Sequence, residues 1–193
     1  LIRCGWKFIR VRASQFYANK EKTVSNLNVI IAETDRLNIL VNDILELSKL
    51  QNAQNDLEIT EFDIVSLIKD ILTRYDIIKE TEHYKLLLES PESIIVHADK
   101  KRISQVIYNL INNAINYTGD DLSVTIRLTD KKNSCLVEII DTGKGIDKKD
   151  LPNIWERYYK KEKNHKRNVV GTGLGLSIVK NILEQHSFAY GVK

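Results

Sequence analysis

Apolar residues recur at helical intervals over the first quarter of the chain. Ile2, Trp6, Ile9, Ala13 and Phe16 stand three or four positions apart and predict a helix that packs along one face. After the polar stretch SQFYANKEK, the same spacing returns at Leu27, Ile30, Thr34, Leu37, Val41, Ile44 and Ser48, flanked by Ile31, Leu40, Leu45 and Leu47. A seam this wide exceeds what a two-stranded coil covers, so it predicts a helical hairpin meeting a second hairpin in a dimeric four-helix bundle. Periodicity does not count chains, and a hairpin lying on the rest of its own chain is the alternative.

The period changes near residue 53, where a domain boundary is expected between 1–53 and 54–193. LQNAQNDLEITEFD reads as polar and irregular, and DIVSLIKDILTRYDIIKE as one helix with Ile64, Leu67, Ile71 and Ile77 inward. YKLLLES and SIIVHAD read as strands, DKKRISQVIYNLINNAINYT as a helix, LSVTIRLT and SCLVEIID as strands, and the chain closes with a helix to about His186. Val124, Ile126 and Leu128 alternate with Thr125, Arg127 and Thr129, which predicts a sheet with one solvated face and helices on the other. The second domain is therefore expected to be α/β, and the whole chain α+β.

Composition narrows this little. Of 193 residues, 42% are hydrophobic and 28% charged, as in ordinary globular chains. The net charge of +3 is small and the two signs are interspersed, so no nucleic-acid partner is expected. No apolar run approaches membrane-spanning length and no signal peptide opens the chain, so membrane attachment is expected only through parts upstream. Cys4 and Cys135 lack metal-ligand spacing and read as small buried hydrophobes, in keeping with a reducing cytoplasmic setting. The chain has no methionine and starts abruptly in LIRCGWKFI, which reads as a fragment.

Chemistry enters with GTGLGLSIV. Glycine inside a helix costs about 0.5–1 kcal/mol relative to alanine. Gly171, Gly173 and Gly175, gathered ahead of a predicted helix, therefore point to a backbone that something approaches closely. A helix start with bare backbone N–H groups suits an anion, and phosphate is the expected guest. On the helix over residues 99–117, Ile103, Val106, Ile107, Leu110, Ile111, Ala114 and Ile115 form an apolar stripe. Asn109, Asn113 and Asn116 line one edge of it, and Asn112 is expected to point nearly opposite, into solvent. Amides half inside a core need partners, either a metal ion with phosphates or neighbouring backbone.

Asp141 ends the apolar row Cys135, Val137 and Ile139, a costly place for an acid unless it accepts strong hydrogen bonds, as from a purine amine. Gly143 and Gly145 would admit a flat ring, although DTGKG taken alone is equally a strand-ending turn. The basic run Lys160, Lys161, Lys163, Lys166 and Arg167 is either a solvated loop or a cover for polyphosphate. A Walker A loop is absent, and a dinucleotide fingerprint fails at Leu176.

In their order and separation these segments resemble the sensor histidine kinases of two-component signalling, whose ATP-binding domain is shared with Hsp90, type II topoisomerases and MutL. NLINNAINYT is similar to the N box, DTGKGI to the G1 box, IWERYY to the F box and GTGLGL to the G2 box. ETDRLNILVNDILELSKLQ resembles the second helix of the dimerisation and phosphotransfer hairpin. The resemblance implies a helical hairpin followed by an α/β sandwich of the histidine kinase/Hsp90 type. It also implies ATP and Mg2+ as cofactors, a homodimer, and a response regulator receiver domain as partner.

Carried over by position, Asn109 and Asn113 would serve magnesium and the phosphates, with Asn113 the metal ligand. Asp141 would hold the adenine amine in a pocket shaped by Gly143, Gly145 and Ile146, with Tyr117 beside the nucleotide. Arg157 and Lys160 would approach the phosphates, and Gly171, Thr172, Gly173, Leu174, Gly175 and Leu176 would cradle them. The resemblance implies ATP-dependent phosphorylation of a histidine and then of a regulator aspartate.

Three departures stand out. Asn116 replaces a common lysine, Ser187 replaces a common glycine after His186, and no H box occurs in the chain. His83, His97, His165 and His186 all fall in the ATP-binding part, so the acceptor is expected upstream and the last strands downstream. A protein of this sequence alone is then expected to bind magnesium ATP without retaining an acid-labile label. Two other readings are an ATPase of the same fold and a non-catalytic nucleotide-sensing dimerisation module. The ATPase needs a glutamate to activate water, and residues 105–117 contain none.

Overall fold

The computed structural model describes residues 19–52, 57–132, 134–159 and 172–192. The chain divides into two compact units, Leu1–Asn42 and Asp43–Lys193. The helix predicted over residues 2–16 lies outside the described residues.

Helix α1 (Lys20–Asn52) begins where the Asn19 side chain accepts a hydrogen bond from Lys22 N (3.0 Å), a capping contact that satisfies one of the free N–H groups of the first turn. Along it Ile30, Leu37, Val41 and Ile44 of the predicted seam are exposed, while Leu27 and Thr34 are half-buried. The Thr34 hydroxyl donates back to Ile30 O (2.7 Å), which spares this polar seam residue the need for an outside partner.

Beyond α1, a strand stands where the sequence reads as irregular: β1 (Ile59–Asp63) pairs antiparallel with β3 (Ile95–Asp99), Phe62 opposite Val96. Only Phe62 of β1 is buried, so the alternation is too short to register as a pattern. Asp63 ends the strand and caps α2 (Ile64–Thr73). Its Oδ1 accepts from Val65 N (3.1 Å) and Ile94 N (3.0 Å), and its Oδ2 from Ser66 Oγ (2.7 Å). The Ser66 hydroxyl first, and then the Ile94 amide, hold this carboxyl down at about 2.

The single helix expected here is two. Arg74 N and Tyr75 N turn back to Ile71 O and Leu72 O (3.1 Å each), and α3 (Asp76–Glu82) starts afresh. Buried Tyr75 takes the inward place at the break, and Ile77, expected inside, is 73% exposed. The restart shifts the phase of the helical period, so extrapolation from α2 fails.

The larger sheet runs β2 (Lys85–Glu89), β4 (Ser123–Lys131), β5 (Ser134–Asp141), with β2 parallel and β5 antiparallel to β4. Val124, Ile126 and Leu128 are buried on one face with Leu86, Leu88, Cys135, Val137 and Ile139 packed beside them, as the alternation predicts. On the other face Arg127 Nε bonds to Glu89 Oε2 (2.7 Å) across the β2–β4 pair. Burial, reinforced by Asp130, pushes the Cys135 thiol up, as suits a residue used as a small hydrophobe.

Helix α4 (Lys100–Tyr117) covers the buried face with its apolar stripe, and only Leu110 of that stripe is half-buried rather than buried. Asp99 caps its start through Arg102 N (3.0 Å). Helix α5 (Gly175–Gln185) buries Ile178, Val179 and Ile182 and lies against α4. Among the described residues no helix is long and apolar enough to cross a membrane.

Candidate functional site

Two of the candidate segments, at Gly143 and at Gly175, approach the C-terminal half of α4. Asn109, Asn113 and Asn116 are all half-buried, as expected of amides on the edge of an apolar stripe. Asn112 departs from expectation: it does not point free into solvent, because the buried Tyr75 hydroxyl donates to its Oδ1 (2.9 Å). The α2–α3 corner covers that side of α4, and a helical wheel carries no information about such a neighbour.

Asn109 Nδ2 is buried and has no hydrogen-bond partner. An amide left so costs about 1–3 kcal/mol, a penalty that an acceptor from outside the protein would relieve. The neighbouring element is the start of α5. A Cβ placed on Gly175 would stand 3.9 Å from Asn109 Cγ and 4.0 Å from its Oδ1, which sets the glycine backbone directly against this amide. Leu174, fully buried, anchors the helix start, and its N–H reaches Thr172 Oγ1 (3.3 Å). Ahead of it Gly173 takes a left-handed φ of 77°, and its carbonyl accepts from Tyr158 N (2.9 Å), tying the F-box segment to the G2-box segment. The helix-start N–H groups and their dipole offer an anion site beside Asn109.

A second turn closes the other side. Asp141 is exposed, contrary to its expected place at the end of a buried row, and its Oδ1 accepts from Gly143 N (2.8 Å). That turn lets Gly143 approach the end of α4 so closely that a Cβ there would be 2.1 Å from Tyr117 O. Thr142 Oγ1 knits the approach by accepting from Gly119 N (3.2 Å), lying 2.9 Å from Thr118 Oγ1 and donating to Asp121 Oδ1. Gly145 follows with φ 72°; Ile146, next in sequence, and Tyr117, whose carbonyl Gly143 approaches, are both exposed.

Of the F box, Ile154 is buried, Trp155 meets the Tyr190 ring edge-on at 4.8 Å, and Arg157 is exposed. Lys160, Gly171 and the basic run between them lie outside the described residues. Ser187, at the position where the resembling family commonly has glycine, adopts φ 56°. Among the described residues no three His, Cys, Asp or Glu gather to hold a metal. A metal here would depend on amide oxygens and on its ligand's phosphates, a donor set suited to magnesium. Neither the Tyr75–Asn112 bond nor the Tyr158–Gly173 bond has a sequence signal, since each joins distant segments.

A family model described as histidine kinase-, DNA gyrase B-, and HSP90-like ATPase matches residues 98–191. Sensor histidine kinase WalK of Bacillus subtilis is 31% identical over 182 residues, 93% of this chain and 30% of WalK. Sensor histidine kinase YclK of the same organism is 31% identical over 178 residues, 90% of this chain and 37% of YclK. The chain thus spans 30% to 37% of the length of these two relatives. Among solved structures, Acinetobacter baumannii histidine kinase AdeS superposes with a TM-score of 0.65 at 26% identity, covering 82% of this chain and 72% of AdeS. Histidine kinase ThkA, solved in complex with response regulator protein TrrA, gives a TM-score of 0.61 at 26% identity over 82% of this chain and 44% of ThkA.

Proposed function

By these similarities the chain belongs to the sensor histidine kinases, and on that premise we propose that its second unit binds ATP with magnesium and supplies the γ-phosphoryl group to a histidine, from which it passes to a response regulator aspartate. One observation carries this reading: the buried, unpartnered Asn109 amide faces the glycine start of α5. A phosphate oxygen would accept from that amide and from the helix N-terminus at once.

The remaining roles follow from placement. The Asn113 amide oxygen would ligate magnesium, with Asn109 beside it, and the ion, when bound, would supply charge neutralisation on the transferred group. Asp141 keeps Oδ1 on the Gly143 amide and leaves Oδ2 for an adenine amine, with Gly145, Ile146 and Tyr117 flanking the ring. Thr172, Gly173, Leu174 and Leu176 would shape the phosphate cradle with Gly175. Arg157, Lys160 and Gly171 would complete it. Transfer then depends on positioning and charge stabilisation. Simple hydrolysis is disfavoured because residues 105–117 hold no glutamate to activate water.

The exposed apolar side chains of α1, among them Ile30, Leu37, Val41 and Ile44, support a homodimer formed through the N-terminal helices. A receiver domain of a response regulator is the proposed partner of that assembly, as TrrA is the partner of ThkA.

Calorimetry with magnesium ADP tests the site. The chain should bind, and Asp141→Asn, which keeps an oxygen for Gly143 N but turns the other position into a donor, should weaken binding by about 1–3 kcal/mol. An unchanged affinity in the folded variant removes Asp141 from the site, and no binding to the unaltered chain ends the nucleotide reading.

A further inference from the structure

His186 lies at the far end of α5 from the glycines and takes no part in the site proposed above. Its ring nevertheless makes two directional bonds. Nδ1 lies 2.8 Å from Ile182 O, inside its own helix, and Nε2 lies 3.1 Å from Asp99 N. A backbone N–H can only donate and a carbonyl can only accept, so these partners assign the proton to Nδ1 and leave Nε2 as the acceptor. Asp99 is the last residue of β3 and the cap of α4. One imidazole therefore joins the end of α5 to the beginning of α4.

The site lies further along the same two helices, at the middle of α4 and the start of α5. From Asp99 to Asn109 is ten residues of α4, about 15 Å, and from His186 back to Gly175 is eleven residues of α5, about 16 Å. The matched lengths put Gly175 beside Asn109 when His186 is held at Asp99. Between these points the contact is apolar, through Ile178, Val179 and Ile182. Apolar burial is non-directional and tolerates small axial slips that a hydrogen bond does not.

We propose that His186 sets the register of α5 along α4 and so fixes the distance between the Gly175 backbone and the Asn109 amide. It is a positioning residue for phosphate binding, a role that rests on the nucleotide reading above. Loss of the acceptor would blunt recognition of phosphates while leaving adenine recognition, which belongs to Asp141 and the Gly143 turn, unchanged.

The test has two arms. In amide NMR spectra of the ligand-free chain, His186→Ala and His186→Asn should move the Asn109 side-chain and Gly175 backbone resonances. His186→Gln, whose amide oxygen can occupy the Nε2 position, should restore them. Tyr190→Phe, which removes the 2.8 Å bond to Glu184 at the same helix end, should leave both in place. In binding measurements His186→Ala should lower magnesium ADP affinity about tenfold and adenosine affinity less than about twofold. Should the alanine variant not fold, the asparagine and glutamine pair decides. Unmoved resonances in folded His186→Ala, or ADP and adenosine weakened alike, overturn the proposal. If the unaltered chain binds no nucleotide, the nucleotide reading and the positioning role fall together, whereas binding with unmoved resonances overturns the register claim alone.

Discussion

A Cβ atom on Gly143 would stand 2.1 Å from the Tyr117 carbonyl oxygen, whereas one on Gly175 would meet nothing closer than 3.9 Å. The two glycine turns look alike in sequence, each with glycines at alternate positions. The first is filled by the protein itself, because β5 hands the chain to the end of α4 at a separation that only a hydrogen atom allows. At the second, a Cβ would stand at ordinary van der Waals distance from the Asn109 side chain. Glycine at 143 is therefore required by the fold, whereas the packing at 175 would accept a methyl group.

Three glycine substitutions test that contrast, and a fourth change, outside both turns, calibrates it. Gly143→Ala must displace backbone rather than a flexible side chain, and we expect it to cost about 3 kcal/mol or more, read as a large drop in the urea midpoint or loss of folding. A mild effect would mean that the close approach to Tyr117 can relax. Gly175→Ala should leave the urea midpoint unchanged or raise it, since alanine suits a helix better than glycine by up to about 1 kcal/mol. Its affinity for magnesium ADP should still fall about tenfold, about 1.4 kcal/mol, because the new methyl occupies the space beside Asn109. Stability and binding falling together would erase the difference between the two turns.

Gly145 offers a third case, with φ 72° and nothing within 4 Å of where a Cβ would stand. Alanine there meets no clash and should lose only the backbone preference, about 1 kcal/mol, in the same denaturation assay. The smallest effect lies outside both turns. Asp63 is held at about 2 by Ser66 and Ile94, below its ordinary 3.8. Its contribution to stability is therefore present above about pH 4 and is lost as pH falls toward 2. Urea midpoints measured across that window should decline less steeply in Asp63→Asn than in the unaltered chain, with no difference between them in slope from pH 5 to 7.

What could be read along the chain was whatever a single element carries by itself. The eighteen residues of α4 hold an unbroken apolar stripe, and β4 alternates through three buried positions, so both are visible as periods. β1 escapes notice because Phe62 alone is buried and the partner strand β3 follows only after two helices and another strand. The break between α2 and α3 is likewise invisible, since Arg74 and Tyr75 are acceptable inside a helix and only the inward turn of Tyr75 explains it. Ser187 shows a departure with a physical meaning: its φ of 56° is one that glycine adopts without strain.

Legible along the chain are the helical and strand periods, the edge of α4 on which Asn109, Asn113 and Asn116 stand, the two glycine clusters and the order that resembles the sensor histidine kinases. These follow from backbone geometry repeated over a few residues, which side-chain spacing reports directly. Folding brings Asn109 to Gly175, Gly143 to Tyr117, Tyr75 to Asn112 and His186 to Asp99, pairings with no trace in the local pattern. Those neighbours are set by which faces bury against each other across long stretches of chain, and burial is a collective, non-directional property that no local period encodes.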